Sequence, residues 1–240
     1  MPRRYLNEGL YMIRNILFDL DETLLDFKKS ESMALSNMLK SIGVEPTRQV
    51  IDRYSEINKS RWKLLEKGLI TRKQVKESRY EILFSELGVD YSAAKATAYY
   101  EEQLSLRGFL FPETIELLEV LHGSYKLFIV SNGGLKVQSG RLADCGIGRY
   151  FEDIFISEAA GAEKPSREFF DYCFRKRPDI KPEESVIIGD SLTSDIQGGK
   201  NAGIRTIWFN PMRQQATDIQ PDYEVYELLD IPKLLENIKN

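Results

Sequence analysis

The stretch Ile16-Leu17-Phe18-Asp19-Leu20-Asp21-Glu22-Thr23 decides how the 240-residue chain is read. Its three consecutive apolar residues leave no polar face, which marks a short strand buried on both sides. The run then breaks into two carboxylates two positions apart. Further runs of the same kind follow at Leu127-Phe128-Ile129-Val130, Ile154-Phe155-Ile156, Val186-Ile187-Ile188 and Thr206-Ile207-Trp208-Phe209. From residue 123 onward they alternate with helical patterns at the spacing of βαβ units. The expected fold is therefore α/β, a doubly wound parallel sheet wrapped by helices.

Between the first and second runs lie roughly a hundred residues without a comparable strand, too many for one crossover helix. They read as successive amphipathic helices stopping at Gly43, Gly68, Gly88 and Gly108, the residue type expected just past a helix end. Thr71-Arg72-Lys73-Gln74 fits a capping box, and Ser92 opens a further helix. The expected organisation is an α/β core of residues 1–25 and 111–240 carrying an inserted helical cap of residues 26–110. Junctions near Asp26 and Phe111-Pro112 would let the insert hinge over the end of the first strand.

Composition narrows the chemistry. With 33 basic against 37 acidic side chains and a net charge of −4, no basic surface for nucleic acid is expected, and a small molecule is the expected partner. No apolar run has the length of a membrane span, and Met1-Pro2-Arg3-Arg4 leads into Asn7 and Glu8 rather than a signal core, so a cytoplasmic location is expected. Residues 1–12 precede the first strand without an evident purpose, and Met12 could itself be a start. Cys145 and Cys173 form no metal-ligand cluster and read as core thiols, while His122, just before Gly123, suits a helix C-terminus. Zinc sites and Ser-His-Asp or Cys-His nucleophiles need His or Cys in numbers this chain lacks.

In an open α/β sheet the ligand sits beyond the carboxyl ends of the strands. There the sequence places Asp19 and Asp21, then Ser131-Asn132-Gly133-Gly134, and then Gly189-Asp190 followed by Asp195. Carboxylates packed together must either stay partly protonated or be balanced by a cation. An all-oxygen cluster selects a hard ion, most simply Mg²⁺, which usually completes its shell with phosphate oxygens. Lys164, ahead of Pro165 at an expected helix start, is disfavoured by the helix dipole unless an anion lies between them. Ser131, Asn132 and the Gly133-Gly134 amides would complete a phosphate cradle.

Taken in order, Asp19-x-Asp21-x-Thr23, Ser131-Asn132, Lys164-Pro165 and Gly189-Asp190-x-x-x-x-Asp195 resemble the four motifs of the haloacid-dehalogenase-like (HAD) phosphohydrolase superfamily. The helical insert looks like the cap of its first subclass. A narrower resemblance, to the bacterial pyrimidine 5′-nucleotidases of that superfamily, is carried by Asn58 to Trp62, Gly68 to Thr71, Arg79-Tyr80, Gln138, Arg141-Leu142, Tyr150-Phe151 and Ile156 to Glu158. Glu113 and Gly134 depart from it, where the relatives tend to have a glycine and often an aromatic.

The resemblance implies that Asp19 is the nucleophile forming an aspartyl-phosphate and that Asp21 is the acid and base. It implies Mg²⁺ held by the Asp19 carboxylate, the Asp21 backbone carbonyl and Asp190, with Asp195 acting directly or through water. Ser131, Asn132 and Lys164 would hold the phosphoryl group. In the cap, Asn58, Trp62 and Arg79 would contact a nucleoside monophosphate, although Trp62 on an amphipathic helix reads on its own as cap core. A phosphosugar phosphatase or phosphomutase shares these motifs. A haloacid dehalogenase has no use for Asp21 with Asp190, and a non-catalytic phosphate-binding module would have lost Asp19.

Overall fold

The computed structural model describes residues 12–238. Strands β1 (Asn15–Phe18), β2 (Lys126–Ser131), β3 (Asp153–Ile156), β4 (Ser185–Gly189), β5 (Arg205–Phe209) and β6 (Tyr223–Val225) form one sheet of order β3-β2-β1-β4-β5-β6. Every neighbouring pair is parallel. The chain steps outward from β1 through β2 to β3, then returns to β4 on the other side of β1. The strand order thus reverses at β1, which opens a crevice above the carboxyl ends of β1, β2 and β4.

The continuous apolar runs are explained by the two faces of this sheet. Ile16, Phe18, Ile129, Ile188 and Ile207 point to one side, into a cluster with Leu117, Leu118, Ile231 and Leu235. These last belong to α5 (Thr114–Leu121) and α10 (Asp230–Ile238). Leu17, Phe128, Val130 and Ile187 point to the other side, against Phe169, Phe170 and Cys173 of α8 (Arg167–Lys176), which lies in sequence between the short helices α7 (Ser157–Ala160) and α9 (Gln197–Ala202). With both faces covered, no strand position except an edge has reason to be polar. The edge strand β6 was not anticipated: three residues with Glu224 exposed carry no apolar run.

Four helices fill the long insertion: α1 (Phe27–Ser41), α2 (Arg48–Glu66), α3 (Arg72–Leu87) and α4 (Ala93–Ser105). Side chains of Asp26, Thr47, Thr71 and Ser92 cap their first turns, and Thr71 with Gln74 forms the expected reciprocal box. Their apolar faces close on one another around Leu35, Met38, Tyr54, Tyr80, Leu83 and Tyr100, a cluster apart from the two that cover the sheet. The chain enters and leaves through paired segments, bridged at Leu25 and Leu110, with the Asp26 N–H donating to Phe109 O at 2.8 Å.

Gly43, Gly68 and Gly88 follow their helices in the left-handed conformation, as helix-stop glycines do. Gly108 does not, and corrects the expectation. A Cβ there would stand 2.4 Å from Arg141 O of α6 (Leu135–Cys145), so it serves close packing rather than a helix end. His122 caps α5 as expected, and Cys173 is buried. Cys145, read as a core thiol, is the last residue of α6 and packs against the core from a half-buried position. Pro165 does not begin a helix: Ser166 is the N-cap of α8, and Lys164-Pro165 lie in the segment before it. Among the described residues no helix is long and apolar enough to cross a membrane. The readings of residues 1–11 lie outside the described residues.

Candidate active site

The carboxyl end of β1 delivers Asp19, that of β4 delivers Asp190, and the π-helical turn Leu192–Ile196 that follows brings Asp195 back beneath them. One oxygen from each lies within 4.8 Å of the others. The return is made possible by Gly189, where a Cβ would sit 2.3 Å from Asp195 Oδ2. Asp195 Oδ2 accepts the Ser191 N–H at 3.0 Å, and Trp208 Nε1 of β5 holds Asp190 O at 2.8 Å. The backbone of the loop is thereby fixed around its carboxylates. Asp21 is not one of the three clustered acids.

Lys164 reaches into this cluster from the loop before α8 and is 1% exposed. Its ammonium donates to Asp19 Oδ1 at 2.7 Å, Asp195 Oδ1 at 2.7 Å and Val130 O at 2.6 Å, which engages all three of its protons. Burial would lower its pKa, but the two carboxylates outweigh it and hold the group above the ordinary lysine range. Asp19 is pushed up to about 7, first by burial and then by the Asp195 charge, against the pull of Lys164. Asp190 is raised well above the usual carboxylate range by burial, Asp195 and Asp19. Three acids against one lysine leave excess negative charge in a dry place. A hard cation among these oxygens fits that excess, and no His or Cys stands in the cluster to favour a softer metal.

The loop after β2 forms the second wall. Ser131 Oγ accepts the Gly133 N–H at 3.2 Å. The Asn132 side chain, expected in the phosphate cradle, is taken up by the Lys164 backbone, accepting from its N–H at 2.8 Å and donating to its carbonyl at 2.9 Å. Its visible task is to hold the Lys164 segment against the loop.

The insert supplies the third wall. A cavity of about 220 Å³ runs from Asp19, Asp21, Ser131 and Lys164 up to Phe27, Trp62, Arg79 and Tyr100. A neighbouring one of about 500 Å³ shares Phe27, Trp62, Asp190 and Ser191 with it and continues the cleft past Asn58 and Trp208. Trp62, half-buried, lines both. Arg79 is buried with its guanidinium 4.8 Å from the Tyr100 ring centre and donates to Asn58 Oδ1 at 3.0 Å. Asn58 Nδ2 in turn donates to Glu31 Oε1 at 2.7 Å. The amide of Asn58 is therefore occupied inside the insert, and Arg79 is the group it orients.

Three residues escaped the list of candidates drawn from the sequence. Gln138 and Arg141 of α6 hold the Asp21 carboxylate. Arg72, at the start of α3, donates to Asn132 O at 3.2 Å, Gly133 O at 3.0 Å and Glu163 Oε1 at 3.0 Å, tying the insert to the loop after β2. Gln138 and Arg141 appeared only as points of family resemblance, and their helical spacing three apart was the available signal for a shared face.

The geometry agrees with what the chain is similar to. Residues 16–209 match the profile of the haloacid dehalogenase-like hydrolases. The pyrimidine 5′-nucleotidase PynA of Streptococcus pneumoniae is 38% identical, covering 92% of this chain and 94% of that protein. The HAD-hydrolase YfnB of Bacillus subtilis is 37% identical over 95% of this chain and 97% of its own. A crystal structure of YfnB bound to magnesium superposes with a TM-score of 0.89 at 36% identity, covering 93% of this chain and 99% of that one. With its parallel sheet, acidic cluster and helical insert in this arrangement, the chain belongs to the haloacid dehalogenase-like hydrolase family.

Proposed function

We propose that the protein is a Mg²⁺-dependent phosphomonoester hydrolase that acts on nucleoside 5′-monophosphates through a phosphorylated Asp19. The observation that carries this reading is the buried Asp19 carboxylate, braced by Lys164 and faced by Asp190 and Asp195, at the floor of a cleft roofed by aromatic side chains. PynA, the nucleotidase relative, supports the substrate class. The magnesium in the YfnB crystal supports the metal.

Asp19, Asp190, Asp195 and the Asp21 carbonyl would hold the ion, which when bound neutralises the acids and polarises the phosphoryl oxygens. Lys164 fixes the Asp19 oxygen and balances its charge, while Ser131 offers a hydroxyl to the phosphoryl group. An Asp19 oxygen bonds to phosphorus as the ester P–O bond breaks, and protonated Asp21 gives its proton to the leaving oxygen. Water then attacks phosphorus, Asp21 takes back a proton, and the Asp19–phosphorus bond breaks to release inorganic phosphate. Both Asp21 oxygens already accept hydrogen bonds, and the second lone pair on either can carry the proton.

Residues 26–110 act as a cap over this chemistry. Interdomain movement is described for YfnB, and here Arg72 to the loop after β2, Lys76 to Glu158 at 3.3 Å and Glu66 to Thr193 at 2.8 Å are among the polar ties that such closure would make. Trp62 and Arg79 line the cavity and would be the cap groups to meet a base. Phosphate release over a panel of nucleoside monophosphates, sugar phosphates and p-nitrophenyl phosphate, with Mg²⁺ or with excess chelator, tests the reading. A pyrimidine nucleotide should lead the panel and chelator should abolish turnover. A leading sugar phosphate would remove the nucleotidase reading, and full turnover without metal would remove the ion.

A further inference from the structure

Helix α6 buries two polar side chains one turn apart, Gln138 and Arg141, 1% and 0% exposed, and both line the catalytic cavity. Arg141 Nη1 donates to Asp21 Oδ1 and, at 2.9 Å, to Gln138 Oε1. A guanidinium only donates, so this contact identifies the oxygen end of the Gln138 amide. The nitrogen end lies 2.8 Å from Asp21 Oδ2 and 2.9 Å from Ser131 Oγ. Ser131 Oγ thus accepts from Gln138 and from the Gly133 N–H, which fills both lone pairs and leaves its proton to be donated elsewhere.

Two further observations set this pair apart from an ordinary buried salt bridge. Arg141 Nε and Nη2 are buried without a hydrogen-bond partner, a costly arrangement that a purely stabilising role does not account for. In addition, a Cβ on Gly133 would stand 2.4 Å from Gln138 Nε2, so the phosphate loop can close over this glutamine only with glycine there.

We propose that Gln138 and Arg141 are a positioning pair: together they fix the Asp21 carboxylate for proton transfer, and Gln138 also turns the Ser131 proton toward the phosphoryl group. The inference rests on the reading of Asp21 as acid and base. Of Asp21 and Ser131, Arg141 touches only Asp21, whereas Gln138 touches both, and their loss should therefore differ by leaving group. A nucleotide needs its leaving oxygen protonated, and p-nitrophenolate does not.

The test compares kcat/KM for a nucleoside monophosphate and for p-nitrophenyl phosphate, since this ratio covers only the steps up to phosphorylation of Asp19. Asp21→Asn, Arg141→Met, Arg141→Lys and Gln138→Met are measured with their melting curves. Arg141→Met should lower the nucleotide value by about tenfold or more while nearly sparing the aryl ester, the same sense as Asp21→Asn, with partial recovery in Arg141→Lys. Gln138→Met should lower both, the nucleotide more. Adding Arg141→Met to Asp21→Asn should not change the leaving-group ratio further. Equal losses on the two substrates in both α6 variants, while Asp21→Asn still discriminates, would assign the pair to the fold alone. Equal losses in Asp21→Asn itself would overturn the acid assignment and this inference with it. If Arg141→Met does not fold, Gln138→Met decides, and equal losses there contradict the proposal.

Discussion

Lys164 concentrates the energetics of the site in one side chain. Its ammonium is dry and its three protons go to Asp19, Asp195 and Val130 O, so removing it exposes two carboxylates to each other without a counter-charge. Lys164→Met should cost about 3–5 kcal/mol of stability in the metal-free protein, the range for breaking a buried pair. It should also lower turnover by about 10²- to 10³-fold, as loss of a charge-stabilising group does. Thermal melting alongside phosphate release checks both, and an unchanged melting curve would show that Lys164 is not the brace described here. Gly189 carries a similar constraint by shape alone. Gly189→Ala places a methyl 2.3 Å from Asp195 Oδ2, and the prediction is a folded protein with weakened Mg²⁺ affinity, read by titrating the metal against activity. Wild-type affinity in that variant would mean that Asp195 does not support the ion.

At the scale of elements, α6 is the member that joins the insert to the sheet. Val137 packs into the insert's cluster and Leu142 into the core's, and Gly140 lets the helix lie against the end of α4, where a Cβ would be 2.4 Å from Ser105 O. Because that neighbour is backbone and cannot swing away, Gly140→Ala should destabilise by about 1–3 kcal/mol, measurable by denaturant unfolding. A neutral substitution would mean that the two helices separate freely. The first five strands could be read directly from their continuous apolar runs, and the convergence of Asp19 and Asp190 followed from their places beyond strand ends, while Lys164 was joined to them from a helix start that the fold moves to Ser166. Edge strand β6 could not, being three residues with one face in water. Nor could the partners of α6 and of Arg72, because which polar residue of a helix faces a neighbour depends on packing across 60 to 120 residues. Asn58 illustrates the limit: helical spacing placed it in the cap, but only the fold shows its amide engaged by Glu31 and Arg79.

For the molecule as a whole, the acidic cluster links folding, protons and metal. Burial and the Asp195 charge push the folded Asp19 carboxyl up to about 7 from an ordinary 3.8, so the folded state should hold a proton that the unfolded chain has released across that interval. Stability of the metal-free protein should therefore fall as pH rises from about 4 to about 7, and Asp190 acts in the same direction. A cation replaces the missing protons, so Mg²⁺ should raise the melting temperature more at pH 8 than at pH 5. Equal shifts at the two pH values would contradict the linkage. The most direct test of the account is to quench the protein within a turnover of its best nucleotide in Mg²⁺ and locate the phosphoryl group by peptide mass spectrometry. The account predicts the label on the peptide containing Asp19 and its absence, together with turnover, in Asp19→Asn. Phosphate release from Asp19→Asn at the wild-type rate, with no phosphorylated peptide in either protein, would contradict it.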